Sequence, residues 1–297
     1  MPSGKYVFSQ MVSLIPRYEF DKRVAKYQGN YRTKDLKCWS QFLYMMFGQL
    51  THREGIRDII NCLGAHQNKL YHLGIKKLVA ASSLSRANEN RDWRIWAEFA
   101  DYLISQFRQK YSRENNFSLE LEGTVYALDA STIDLCLQLF PWAKFRKHKV
   151  AVKLHTLMDV RGDIPVFIHI TDGKVHDSSK PKTYIFLTNN FELDALMIAD
   201  LYKNRWRIEL FFKWIKQHLK IKKFWRHSEN AVKTQIWMAI CTYLLVANLK
   251  KQFNLKASLY EILQILSVSI FDKTPVNQLL IKHDLQIYQN DNKQANF

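Results

Sequence analysis

With 297 residues, 47% of them apolar, the chain can bury a sizeable core as one large domain or two ordinary ones, and wholesale disorder is excluded. Lys and Arg outnumber Asp and Glu by 44 to 27, a formal net charge of +17. Such an excess costs self-repulsion and is ordinarily kept for a polyanionic partner. With no basic amphipathic anchor in the sequence, nucleic acid is favoured over a membrane surface.

The first residues, Met-Pro-Ser-Gly-Lys-Tyr, hold no apolar stretch of the kind a secretory leader needs, so a cytoplasmic protein is expected. Residues up to about Asn116 read as helical: Cys38–Leu50, Ile56–Leu63 and Trp93–Tyr111 carry apolar residues at three- and four-residue spacing. Between them, Ala80–Asn90 is small and polar. It has the composition of a short helix that reads a DNA groove, with Arg86 as its cation, and equally that of a solvated connecting helix capped by Ser82 or Ser83. Cys38, Cys62, Cys136 and Cys241 form no C-x-x-C pair, which excludes a zinc ribbon and points to reduced thiols.

The pattern changes at Gly123. Val125–Asp129, Val150–Val160 and Ile164–Ile170 read as strands, the last two joined by a turn at Arg161-Gly162-Asp163, and Tyr184–Thr188 as a short fourth. Phe191–Phe224, Ala231–Phe253 and Ser258–Ile270 return to helix. The nearly apolar Ile236–Leu249 is shorter than a membrane span and reads as a buried helix. The expected plan is a helical domain over residues 1–117 followed by an α/β domain over 118–297. The basic run Lys144, Arg146, Lys147 and Lys149 and the cluster Lys213–Arg226 are candidate contacts to a DNA backbone. His148, His155, His169 and His176 fit no metal-ligand spacing and read as solvated or phosphate-facing.

The densest chemistry lies in Tyr202–Lys216. At 100° per residue Tyr202, Arg205, Glu209 and Lys216 fall within a stripe of about 60°. Ile208, Leu210, Phe211, Phe212, Trp214 and Ile215 fill the rest, so the helix is expected to be buried with one carboxylate among cations. Such a carboxylate is paired or binds a metal. An intrahelical ladder, Arg205–Glu209–Lys213, is the plainer account. A second acid, Asp129, closes the strand Val125–Asp129 ahead of small residues. That placement suits a metal in a cleft, and also a turn or helix cap.

These residues resemble the insertion-sequence DDE transposases of the YREK-bearing branch. The Y-x2-R-x3-E-x6-K pattern (Tyr202, Arg205, Glu209, Lys216) matches that signature, Leu128-Asp129-Ala-Ser-Thr the first-aspartate motif, and residues 5–100 the helical N-terminal domain. The resemblance implies an α/β ribonuclease-H-like core whose Asp-Asp-Glu triad holds two Mg²⁺, with Mn²⁺ as a substitute. Asp129 would be the first ligand and Glu209 the last. Tyr202, Arg205 and Lys216 would grip DNA phosphates near the cut end. The implied partners are duplex DNA, as terminal inverted repeats and target, and a second copy on that DNA, in the nucleoid of a bacterial cytosol.

The second aspartate departs from the pattern. The family carries it on a further strand, followed by Arg-Gly-Tyr, beyond a segment like Thr171–Asp177. Here Asp177 runs almost directly into Tyr184–Asn190, which resembles the family's segment on the far side of that missing strand. The link His176–Thr183 reaches about 26 Å if extended, too short for a crossover with a helix. An internal deletion is therefore expected, with Asp172 and Asp177 the nearby substitutes. Two rivals stand beside a transposase: a catalytically impaired DNA-binding remnant of one, and a ribonuclease-H-like nuclease unrelated to transposition.

Overall fold

Apolar spacing drives the first part of the chain into helices, and none of the described residues up to Tyr111 lies in a strand. The computed structural model describes residues 4–111, 126–135, 139–146, 149–159, 164–172, 206–218 and 224–282. Helices α1 (Val7–Val12), α2 (Arg17–Lys26), α3 (Cys38–Leu50), α4 (Ile56–Ala65), α5 (Ala81–Asn90) and α6 (Arg94–Tyr111) come first. Strands β1 (Tyr126–Leu135), β2 (Lys144–Arg146), β3 (Lys149–Asp159) and β4 (Ile164–Asp172) come next, then α7 (Trp206–His218), α8 (Glu229–Gln252) and α9 (Leu259–Ser269). They form two compact units, one of residues 1–100 with 217–297 and one of residues 101–216.

The first unit is organised by α8, which is buried from Ala231 to Leu249, and by α3, buried from Gln41 to Leu50. A helix apolar on all sides needs neighbours on all sides, and α8 packs on α3, α5 and α9. The helix is long and apolar enough to cross a membrane, but 94% of that stretch is buried in the protein. The sequence reading grouped α8 and α9 with the second domain; in the structure their packing is with the N-terminal helices. Ser228 caps α8 by accepting from the Ala231 amide at 3.3 Å, and Ser258 and Glu261 form a reciprocal capping box at the start of α9.

Phe20 binds α2 to this core, stacked on Phe42 at 5.7 Å and edge-on to Phe99 at 5.2 Å. A buried polar chain runs beside it. Arg91 donates to the Gln41 side-chain oxygen and to the Leu36 carbonyl, Gln41 donates to Asn88, and Asn230 of α8 donates to the carbonyls of Asn88 and Arg91. The chain fixes the end of α5 against α3 and α8. Contrary to the sequence reading, neither Ser82 nor Ser83 caps α5; its N-cap position is Ala80. Among the described residues Cys38, Cys62 and Cys241 are in no disulfide, and burial pushes the Cys38 thiol up to about 11, which makes it a poor nucleophile.

In the second unit, β3 pairs antiparallel with β1 along its length and with β4 on its other side, while short β2 pairs with the start of β3. Strand β1 does not stop at Asp129, as the sequence reading has it, but continues to Leu135. The small residues Ala130 and Ser131 are followed by β-branched Thr132 and Ile133, and Ile133 is buried, so the alternation carries on. Lys144–Arg146, read as a solvated or DNA-facing run, is strand β2. The expected strand Tyr184–Thr188 and turn Arg161–Asp163 lie outside the described residues.

Gly48 marks the closest approach in the first unit. A Cβ there would lie 2.4 Å from Ile59 Cδ1 and 2.9 Å from the Trp225 ring. Gly48→Ala is expected to lower stability by about 1–3 kcal/mol through overpacking, read as a lower urea midpoint. An unchanged midpoint would mean that α3 and α4 are not held at this spacing.

Candidate active site

Alternation along β1 puts Asp129, Ser131 and Ile133 on one face of the sheet. The register sets them opposite Thr156, Leu154 and Val152 of β3, which in turn face Ile168, Ile170 and Asp172 of β4. Except at the Asp172 end this is the buried face: Ile133, Val152, Leu154, Thr156 and Ile168 are all less than 5% exposed. Asp129 is half-buried on it, and the Ala130 amide donates to Oδ1 at 2.8 Å. The other face carries Leu128, 68% exposed, Phe167, 53% exposed, and His169 stacked on Phe167. There His155 Nε2 lies 3.0 Å from the Thr171 hydroxyl, which gives His155 a protein partner rather than the solvent or phosphate expected of it.

Thr156 is fully buried directly across from Asp129, and its hydroxyl has no hydrogen-bond partner among the described residues. Cross-strand neighbours sit about 4.5–5.5 Å apart at Cβ, so this orphaned hydroxyl is within reach of a water or ion held by the Asp129 carboxylate. Oxygen donors of this kind suit a hard divalent cation.

Glu209 lies in the first turn of α7, in the same unit. It was expected to be buried and is exposed, together with Lys213 and Leu210, while Ile208, Phe211, Phe212, Trp214 and Ile215 are buried. One side of α7 is therefore open, and Glu209 needs no metal or ion pair to offset burial. Lys216 Nζ donates to the Thr132 carbonyl at 2.7 Å, tying the end of α7 to β1. Tyr202, Arg205, Lys147 and Asp177 lie outside the described residues. Lys144 and Arg146 are on β2, and Lys149 opens β3 opposite Arg146.

The register also bears on the missing acid. Asp172 is four residues along and two strands across from Asp129, which puts the Cα atoms about 16 Å apart at standard strand spacings. That is too far to share metals separated by about 4 Å. Asp134 and Asp159 point to the opposite face. Among the described residues no three His, Cys, Asp or Glu side chains gather as a metal site. On the face of the described sheet that carries Asp129, no further carboxylate lies within metal-sharing distance of it.

Comparison with known proteins supplies the family context. Residues 178–245, which include Glu209, match the transposase DDE domain, and residues 3–76 match a domain of unknown function termed DUF4372. Over 64 residues the chain is 50% identical to the putative transposase y4zB of Sinorhizobium fredii, covering 22% of this chain and 18% of that protein. Over 76 residues it is 41% identical to a probable transposase for insertion sequence element IS5377 of Geobacillus stearothermophilus, covering 24% and 20%. A putative transposase for element IS4SA of Synechocystis is 45% identical over 49 residues, covering 16% and 14%. The matches thus span a fifth or less of these relatives. No solved structure matches the chain. By these segments the chain is similar to transposases of insertion sequences, and residues 178–245 are similar to a transposase DDE domain.

An orphaned hydroxyl in an apolar surround carries its desolvation cost without return. Thr156→Val, which keeps the shape, is expected to hold stability constant or raise it by about 1 kcal/mol in chemical denaturation. A loss beyond about 1 kcal/mol would show that the hydroxyl has a partner in the free protein.

Proposed function

We propose that the chain is a DDE-type transposase of an insertion sequence, of the YREK-bearing branch, which binds element-end DNA and cuts and joins strands on a ribonuclease-H-like core. The carrying observation is that one compact unit brings together a carboxylate on the buried face of β1, Asp129, and the helix of the DDE-domain match that bears Glu209. Lengths along the two elements support their pairing. From Lys216 back to Glu209 is about 10 Å of helix at 1.5 Å per residue. From Thr132 back to Asp129 is about 10 Å of strand at 3.3 Å per residue. With Lys216 fastened to Thr132, a helix running alongside β1 in the same sense brings Glu209 level with Asp129.

Asp129 and Glu209 would hold Mg²⁺ or Mn²⁺, with Thr156 behind Asp129. The chemistry that such ions supply at paired carboxylates is activation of a water or 3′-hydroxyl and stabilisation of the departing oxygen. The chain's own part is positioning, which carries most of the acceleration in phosphoryl transfer. The Ala130 amide orients the Asp129 carboxylate, and Lys216 fixes β1 against α7. Tyr202, Arg205 and any ammonium donor of Lys216 left over from Thr132 would grip the DNA phosphates. Lys144, Arg146, Lys147 and Lys149 would extend that contact along the backbone.

A second reading, a DNA-binding remnant impaired in catalysis, draws on the count of carboxylates. The described sheet supplies none besides Asp129 on its face at metal-sharing distance. The start of the DDE-domain match at residue 178 fits the loss of the strand that precedes it in the family. Asp177 is the residue on which the two readings divide.

Purified chain is to be tested with Mn²⁺ and duplex DNA carrying the terminal repeats that flank its gene. Nicking that falls at least about 100-fold in Asp129→Ala and in Glu209→Ala supports the site, and its loss in Asp177→Ala as well identifies the third ligand. Nicking that survives both of the first two substitutions contradicts the assignment. Absence of nicking with DNA binding retained favours the remnant. Independently of activity, Asp129→Asn and Thr156→Val are each expected to reduce the thermal shift produced by Mn²⁺.

A further inference from the structure

The first unit holds a groove that the catalytic reading does not use. It is an open cleft of about 770 Å³ between the outer side of α5 and the loop of residues 27–36, with Lys77 at its rim. From the loop come Arg32 and Lys34; from α5 come Ser83, Arg86 and Asn90. Among the described residues Arg32, Lys34 and Arg86 have no carboxylate partner. The two acids in the lining are already engaged, Asp92 by Arg94 at 2.6 Å and Asp35 by Lys77 at 3.8 Å.

At the floor lies Arg91, 7% exposed, whose hydrogen-bond acceptors are the neutral oxygens of Gln41 and Leu36. Burial holds its guanidinium below its usual range, yet arginine remains charged. A buried cation with no acid beside it among the described residues is costly, and an anion held at the mouth of the groove would offset that cost.

The groove is preformed. Gly29 lets the loop lie on the core where a Cβ would meet Ile95 Cδ1 at 2.5 Å and Cys38 Sγ at 2.7 Å. Asn30 Oδ1 accepts from the Cys38 amide at 2.8 Å, Thr33 Oγ1 donates to the Asn30 carbonyl, and Lys37 Nζ donates to the Thr33 carbonyl. Arg32 sits at φ +49°, a left-handed position that a side-chain-bearing residue adopts at a cost. The loop is held in the shape that presents its cations toward α5.

We propose that this groove is a duplex-DNA site: α5 enters the major groove with Ser82, Arg86 and Asn90, and Arg32, Lys34 and Lys77 hold the adjoining phosphate strand. The inference deepens the transposase reading by naming the surface that takes DNA apart from the cutting site. Arg32 and Lys34 lie inside the segment matching a domain of unknown function, and Lys77 and α5 follow directly after it. Helix α5 is about 15 Å long at 1.5 Å per residue, enough to cross a major groove about 12 Å wide. Its packed side, with Leu84, Ser85, Ala87 and Asn88 buried, leaves Ser82, Arg86 and Asn90 exposed on the other. Arg and Asn are the side chains that address guanine and adenine edges with paired hydrogen bonds. Small-molecule pockets are enclosed and mostly apolar, and single-strand platforms present a series of aromatic faces. This groove is open, carries the cations Arg32, Lys34, Lys77, Arg86 and Arg91, and has only Tyr27 and Tyr31 as aromatics in its lining.

The test is binding of the full chain to a fluorescent 30-base-pair duplex of random sequence, in EDTA, across a salt series. Phosphate contacts release counterions, so each one removed flattens the plot of log affinity against log salt by about one. Arg32→Gln with Lys34→Gln is expected to flatten the slope by about two and weaken binding at least about 10-fold at low salt. Lys22→Gln with Lys282→Gln, an equal loss of charge elsewhere, is expected to change it far less. Arg86→Gln is expected to reduce the preference for terminal-repeat DNA over random duplex while leaving the slope within about one of wild type. All these positions are exposed or carry flexible cations, and a matching thermal melt confirms folding. Equal slopes in the groove and control variants would overturn the proposal, as would tighter groove-dependent binding of single-stranded DNA or RNA. Asp129→Asn separates the two readings. Nicking that survives Asp129→Asn while binding stays groove-dependent would contradict the catalytic site alone, and nicking that is lost in Asp129→Asn while binding does not depend on the groove would contradict the groove alone.

Discussion

The cross-strand pair of Asp129 and Thr156 is the constraint on which the functional account rests. Strand alternation turns both side chains to the face that also buries Val152, Leu154 and Ile168. A carboxylate and an orphaned hydroxyl in such a place cost the fold more than apolar residues of the same shape would. Nothing about β1 as a strand requires them. Their cost is met if a cation and its waters are drawn to that spot, which is what a phosphoryl-transfer site needs. The same register keeps Asp172, Asp134 and Asp159 away from that spot, so no second carboxylate of the described sheet joins Asp129 there.

The helical unit obeys a different constraint. Helix α8 is apolar on nearly every side, and covering it requires α3, α5 and α9 at once. Those contacts bury the inner side of α5 and anchor its end through Asn230, Asn88, Arg91 and Gln41. The outer side is left free with its cation and small polar groups. The C-terminal helices thereby support the surface formed by the N-terminal ones. The length of chain that separates them accounts for why a single segment from either end would not reproduce it.

Much of this was legible in the sequence where one periodicity dominates. Helices α3, α4, α6, α8 and α9 lie within a few residues of the segments marked by their apolar spacing, and Ser258 announces the cap of α9. The extent of β1 was not legible, because Ala130 and Ser131 look like a break and only pairing with β3 shows that the strand continues. Strand β2 was hidden by its charge. The exposure of Glu209 was misjudged because Leu210 counts as apolar on a helical wheel, yet it is 43% exposed. The sequence shows that α8 is apolar nearly all round but not which helices cover it, so its packing on α3 was out of reach. The groove residues Arg32, Lys34 and Lys77 share no sequence spacing with Arg86. The interleaved Tyr31-Arg32-Thr33-Lys34 was the one local signal.

The central claim is that Asp129 and Glu209 share a divalent cation. A crystal of the chain grown with Mn²⁺ and measured at the manganese absorption edge tests it directly. The account predicts an anomalous peak between the two carboxylates, with an oxygen of each about 2.0–2.2 Å away, close to the distances of hard divalent cations. Carboxylates more than about 8 Å apart, or a peak held by other residues, could not serve metals at two-metal spacing and would contradict it.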